Sequence, residues 1–145
     1  MTDAKRVLEQ AIDTWNAGDR EAWAALYDEN VEWEAPGGGR ISGLEDLKVK
    51  YFDALLEAAP DRASVVDSLF AVGDLVAETG RYTGTHTGTW RGPNGVEIPA
   101  TGKSFDFPFT AIFRVENDKI TSIRLYYDQV DVLTQLGLMP VPARA

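Results

Sequence analysis

The sequence predicts an α+β domain, a conical, curved, mostly antiparallel sheet wrapped around N-terminal helices, with an apolar pocket inside the cone. Three observations lead there. The elements run helix, helix, strand, helix and then four strands, a segregated order that gathers the helices on one face of the sheet. The late strands follow one another through short turns, as in antiparallel hairpins. Gly80, Gly84, Gly88 and Pro108 interrupt the long strands, and residues of that kind bend or bulge a sheet.

The elements follow in order. Thr2 or Asp3 caps a first helix, whose Val7, Leu8, Ala11, Ile12 and Trp15 form one apolar stripe that Gly18 ends. Asp19 caps a short second helix carrying Ala22, Trp23 and Leu26. Val31 to Glu34 alternates apolar and acidic residues as a strand does, and Pro36 with Gly37, Gly38 and Gly39 breaks it. Ser42 followed by Glu45 reads as a capping box, and Leu44, Leu47, Tyr51, Leu55 and Leu56 make the face of the next helix, closed by Pro60. Strands are then expected over Ala63–Val72, Leu75–Trp90 and Lys103–Glu116, and from Lys119 to Asp128, with Arg91–Gly102 as a loop over the pocket or an exposed connection. A short helix follows Asp128. Residues 1–138 form a single domain, and 139–145 are a tail.

Composition narrows the function. The 145 residues carry 14 Lys and Arg against 23 Asp and Glu, a formal net charge of -9, which disfavours nucleic acid and anionic membrane surfaces as partners. There are no cysteines and one histidine, so disulfides, thiol nucleophiles and the common zinc sites are excluded, and neither a metal nor a cofactor is expected. No apolar run approaches the roughly 18 residues of a membrane span, and the first residues do not form a secretory signal. A cytoplasmic location is expected.

The last strand is the most informative. Ile123, Leu125 and Tyr127 share one face, and Arg124, Tyr126 and Asp128 share the other. The polar row faces either solvent, as a surface ion pair, or the interior of the cone. In the second case Asp128 is a general base or acid, Tyr126 a hydrogen-bond donor and Arg124 a charge partner or oxyanion donor.

The segments Trp15–Asp19, Leu26–Gly38, Gly84–Phe107 and Phe113–Leu138 resemble the SnoaL-like polyketide cyclases of the nuclear transport factor 2-like, ketosteroid isomerase-like superfamily. The resemblance covers nearly the whole chain. It implies a conical α+β barrel, a homodimer, a deep apolar pocket and ring closure by intramolecular aldol addition without metal or cofactor. It also implies that Asp128 moves the proton, which favours the interior reading. Where the family has a histidine ahead of that aspartate, this chain has Ser122 to Leu125, with Arg124 in the histidine's space.

The expected partner is a small apolar organic substrate. Trp33, Tyr51, Trp15, Phe109 and Trp90 are candidate pocket residues, with Phe113 as a further aromatic. His86, on the same face as Tyr82 and Trp90, is either a proton-transfer group or a structural histidine. Glu78 and Arg81 read as an exposed cross-sheet feature. An isomerase acting on a carbonyl compound is as consistent as a cyclase. Two further alternatives stand: an epoxide hydrolase of the limonene-epoxide hydrolase type, and a non-catalytic binding module in dimeric form.

Overall fold

The computed structural model describes residues 3–139. Thr2 as a cap and the tail from residue 140 onward lie outside the described residues. Helices α1 (Ala4–Ala17) and α2 (Arg20–Ala24) lead into strand β1 (Tyr27–Ala35), which turns back as β2 (Gly39–Ser42). Then come α3 (Leu44–Leu47), a π-helical turn (Lys48–Asp53) and α4 (Ala54–Ala58). Strands β3 (Ala63–Val72) and β4 (Leu75–Thr85) follow, with a small hairpin of β5 (Trp90–Arg91) and β6 (Glu97–Ile98). After them come β7 (Ser104–Glu116), β8 (Lys119–Tyr127) and α5 (Gln129–Gln135).

The main sheet has six strands in the order β2-β1-β8-β7-β4-β3. β1 and β8 run parallel, and the other neighbours are antiparallel. Register shifts interrupt β1 between Tyr27 and Glu32, β3 between Val66 and Ser68, and β8 at Thr121, opposite Arg114 and Val115. Each adds local twist, so the sheet curls and its concave side receives the helices. Gly80 is needed at the β3 irregularity, because a Cβ there would stand 2.4 Å from the Val65 carbonyl oxygen.

Local chemistry sets the element ends. Asp3 and Asp19 accept from backbone N–H groups of Arg6 and Ala22, and Gly18 closes α1 in the left-handed region. The β7–β8 turn uses Asn117 and Asp118, both at positive φ. Ser42 does not form the expected capping box. Gly43 is the cap residue, and the Ser42 hydroxyl donates to Glu32 across the β1–β2 hairpin at 2.7 Å.

Inside the curl, Trp15, Trp23, Tyr27 and Phe52 pack ring against ring, with Trp23 4.4 Å from Tyr27 and 4.9 Å from Phe52. Leu8, Val31, Leu47, Val76, Val115 and Ile120 fill the space around them. Burying each such side chain contributes about 2 kcal/mol. The π-helical turn has a positional effect. It lets Leu47 and Phe52 stay in this core while Tyr51 and Leu55 turn toward a space the core does not fill. Among the described residues no helix is long and apolar enough to cross a membrane.

Candidate active site

That space is a cavity of about 260 Å³ between the concave sheet face, the helices and the β5–β6 hairpin. Its walls are aromatic, and Trp15, Trp33, Tyr51, Trp90 and Phe109, named from the sequence, all line it. Tyr82, Phe107, Leu125 and Tyr127 complete the sheet wall, and Val132 and Leu133 of α5 close one side. Phe113 is buried in the core and does not line the cavity. The segment 91–102 is the β5–β6 hairpin rather than a plain loop, and its Arg91, Pro93, Asn94, Val96 and Ile98 roof the cavity.

The hairpin is tied down from below. Thr87 and Gly88 donate their backbone N–H groups to the Ala58 carbonyl at 3.1 Å, and Arg91 reaches Glu57 at 3.4 Å. His86 belongs to this anchor. It is fully buried, its Nδ1 lies 3.0 Å from the Thr101 hydroxyl, and its backbone bonds to Lys103 and Gly102. Burial lowers its pKa, favouring the neutral ring. His86 does not line the cavity, so the structural alternative describes its place.

The polar row of β8 is on the other side of the sheet. Leu125 and Tyr127 line the cavity, so alternation turns Arg124, Tyr126 and Asp128 to the convex face. Arg124 pairs with Glu34 at 3.1 Å, and Tyr126 is 42% exposed. Asp128 is exposed and caps α5, accepting from the backbone N–H groups of Val130 at 2.9 Å and Asp131 at 3.2 Å. The interior placement expected for these three residues is therefore corrected. At the start of α5 the Asp128 oxygen satisfies backbone donors that the first turn of a helix otherwise leaves open.

A different carboxyl faces inward. Val76, Glu78, Gly80 and Tyr82 alternate onto the buried side of β4, and Glu78 is only 3% exposed. The expectation of an exposed Glu78–Arg81 feature fails on this alternation. Arg81 points outward and pairs with Asp106 at 2.8 Å. Glu78 aligns with Ala111, which aligns with the cavity residue Leu125. Glu78 therefore lies on the inward sheet face that carries the cavity wall, beside Gly80 and Ala111, without itself lining the cavity. Its Oε2 has no hydrogen-bond partner among the described residues. Burial raises its pKa from 4.5 to about 7, because the charged form is poorly solvated there.

The phenols nearby have a complementary state. Burial raises the pKa of Tyr51 first of all, and the neighbouring charge of Glu78 adds to it. Tyr82 is raised by burial too. Both therefore remain protonated donors at neutral pH. The indole Nε1 atoms of Trp15 and Trp33 and the Tyr82 hydroxyl are buried without a partner among the described residues. The cavity is an apolar slot with several idle donors, and the carboxyl raised to about 7 lies beside it. Among the described residues, no group of three or more His, Asp or Glu side chains is placed to hold a metal ion.

A curled sheet around such a cavity defines the nuclear transport factor 2-like, ketosteroid isomerase-like class of fold. An NTF2-like protein of Burkholderia thailandensis superposes with a TM-score of 0.77 at 23% identity, over 97% of this chain and 100% of its own. A SnoaL-like protein of a Jannaschia species gives 0.81 at 21% identity, covering 94% of this chain and 93% of that one. AclR of Streptomyces galilaeus, described as a proposed hydroxylase, gives 0.81 at 22% identity, covering 98% and 89%. The family model described as SnoaL-like polyketide cyclase matches residues 5–136, and the chain belongs to that family. A search of curated proteins returned no match.

Proposed function

We propose that this protein is an acid/base enzyme acting on an apolar carbonyl compound of the polyketide type, by cyclase or isomerase chemistry. The observation that supports it best is a buried carboxyl, its Oε2 without a partner among the described residues, on the inward sheet face beside an aromatic-lined cavity and near enough to the lining residue Tyr51 to act on its charge. An aspartate or glutamate in water, with a pKa of about 4, is a weak base toward a carbon acid. Glu78, held near neutrality, is matched to removing a proton beside a carbonyl and returning it elsewhere. Tyr51 is the donor to the enolate oxygen, since it lines the cavity and interacts electrostatically with Glu78. The aromatic walls hold a flat substrate and exclude water from the enolate. In this proposal Glu78 takes the role that the resemblance gives to Asp128.

The proposal includes a cytoplasmic homodimer joined through the convex sheet face. Phe70, Ala77 and Ile112 align across β3, β4 and β7 on that face, with Thr79, Thr110 and Tyr126 in the next row. These are mostly apolar or small uncharged residues on an otherwise acidic protein.

The direct test is exchange of the α-protons of 2-tetralone, an enolisable aromatic ketone, in deuterated water followed by NMR. Exchange should run well above the buffer rate and fall to that rate in Glu78→Gln, which should still bind the ketone. Wild-type exchange at the buffer rate would refute the acid/base assignment.

A further inference from the structure

A second buried charge lies beside the cavity, and the mechanism above does not use it. Arg62 precedes β3 and is 3% exposed. Its guanidinium carbon lies 3.6 Å from the centre of the Trp15 ring and 4.8 Å from that of Phe52. Nη1 donates to the Trp15 carbonyl at 2.7 Å. The stacking and this bond fix the plane of the group. Nε and Nη2 are buried and have no partner among the described residues.

Those two atoms form one edge of the guanidinium. Elsewhere in the same chain, Arg20 uses that edge to grip both oxygens of Asp53, Nε to Oδ1 at 2.8 Å and Nη2 to Oδ2 at 3.0 Å. Arg62 presents the same fork with nothing in it. Burial opposes its charge, but a guanidinium does not give up its proton near neutrality. A buried cation with open donors calls for an anion. The idle groups around it are donors as well. The Tyr82 hydroxyl and Trp15 Nε1 are unpartnered, and Tyr82 and Tyr51 are the groups whose charge Arg62 senses. Arg62 does not itself line the cavity, but Trp15, on which it stacks, and Ser64, Tyr51 and Tyr82 do, so the fork lies against that part of the wall.

We infer that this part of the cavity is a carboxylate subsite. Nε and Nη2 of Arg62 hold the two oxygens, and the Tyr82 hydroxyl adds a third donor. The substrate is therefore an aromatic or polycyclic carboxylic acid, oriented with its acid group at Arg62 and its reacting carbonyl toward Tyr51 and Glu78. The inference rests on the acid/base reading for the reacting end, while the acid group is recognised independently of it.

The test is calorimetric titration of the full chain with 2-naphthoate and with the neutral, isosteric 2-naphthamide at neutral pH. The naphthoate should bind about 30-fold more tightly, the ratio expected of a charge-assisted pair. Arg62→Met should remove that preference and leave the amide's affinity unchanged. Tyr82→Phe should weaken the naphthoate alone. Should Arg62→Met fail to fold, the wild-type ratio and Tyr82→Phe decide the matter. Equal affinities in the wild type, or tighter binding of the amide, overturn the subsite while leaving the acid/base reading intact. Binding of neither compound overturns both. A naphthoate preference without tetralone exchange supports the subsite and removes the acid/base reading.

Discussion

Glu78 is buried on a sheet strand without a partner for Oε2 among the described residues, whereas Asp128 is exposed and caps α5. Glu78 has its ordinary pKa of 4.5 in the unfolded chain and one of about 7 when folded, so the folded state holds a proton that the unfolded state releases. Stability from this group is complete below pH 4.5 and is lost as the pH rises to about 7. The full effect is about 3 kcal/mol. Denaturant titrations across that window should show the decline, and Glu78→Gln should flatten it. Asp128→Ala should cost about 1 kcal/mol through loss of the helix cap, with tetralone exchange retained. The aromatic lining was readable from sequence because large rings on half-buried elements have few other places to go. The carboxyl was misread as exposed, although Val76, Glu78, Gly80 and Tyr82 keep a two-residue period that puts Glu78 on the apolar side. Arg62 gave no such signal, because it stands in a connection with no periodicity to assign it a face.

Among the elements, the β5–β6 hairpin depends most on one residue. A Cβ on Gly88 would fall 1.9 Å from the Glu57 carbonyl oxygen, so the chain passes α4 only because this residue has no side chain. Gly88→Ala should detach the roof, costing about 2 kcal/mol in stability and weakening binding of naphthamide and naphthoate together. Loss of stability with affinity unchanged would show that the roof is not part of the site. The helices and long strands were legible because each carries a sustained apolar period. β2 was not, since Gly39–Ser42 contains one apolar residue, Ile41, and follows a run of glycines. The π-helical turn was also hidden. It adds one residue per turn without changing composition, and only the packing of Tyr51 and Phe52 on different sides reveals it.

At the scale of the whole molecule, the convex face predicts assembly. Sedimentation should give a dimer, and Ile112→Arg, which places a cation in the middle of that face, should give a folded monomer. A wild-type monomer at micromolar concentration would remove the homodimer from the proposal. The general plan, helices in the curl of a bent sheet, followed from element order alone. The parallel pairing of β1 with β8 did not, because nothing in either strand's own sequence specifies a neighbour so far along the chain. That pairing bears on how the protein is made. β8 is inserted between β1 and β7, so the first hairpin has no seat until the last strand is supplied. On the ribosome the nascent chain must wait, its early aromatic residues unsheltered, until β8 has been made. A chain stopped after Glu116 should remain unfolded by circular dichroism, whatever the merits of its first hundred residues.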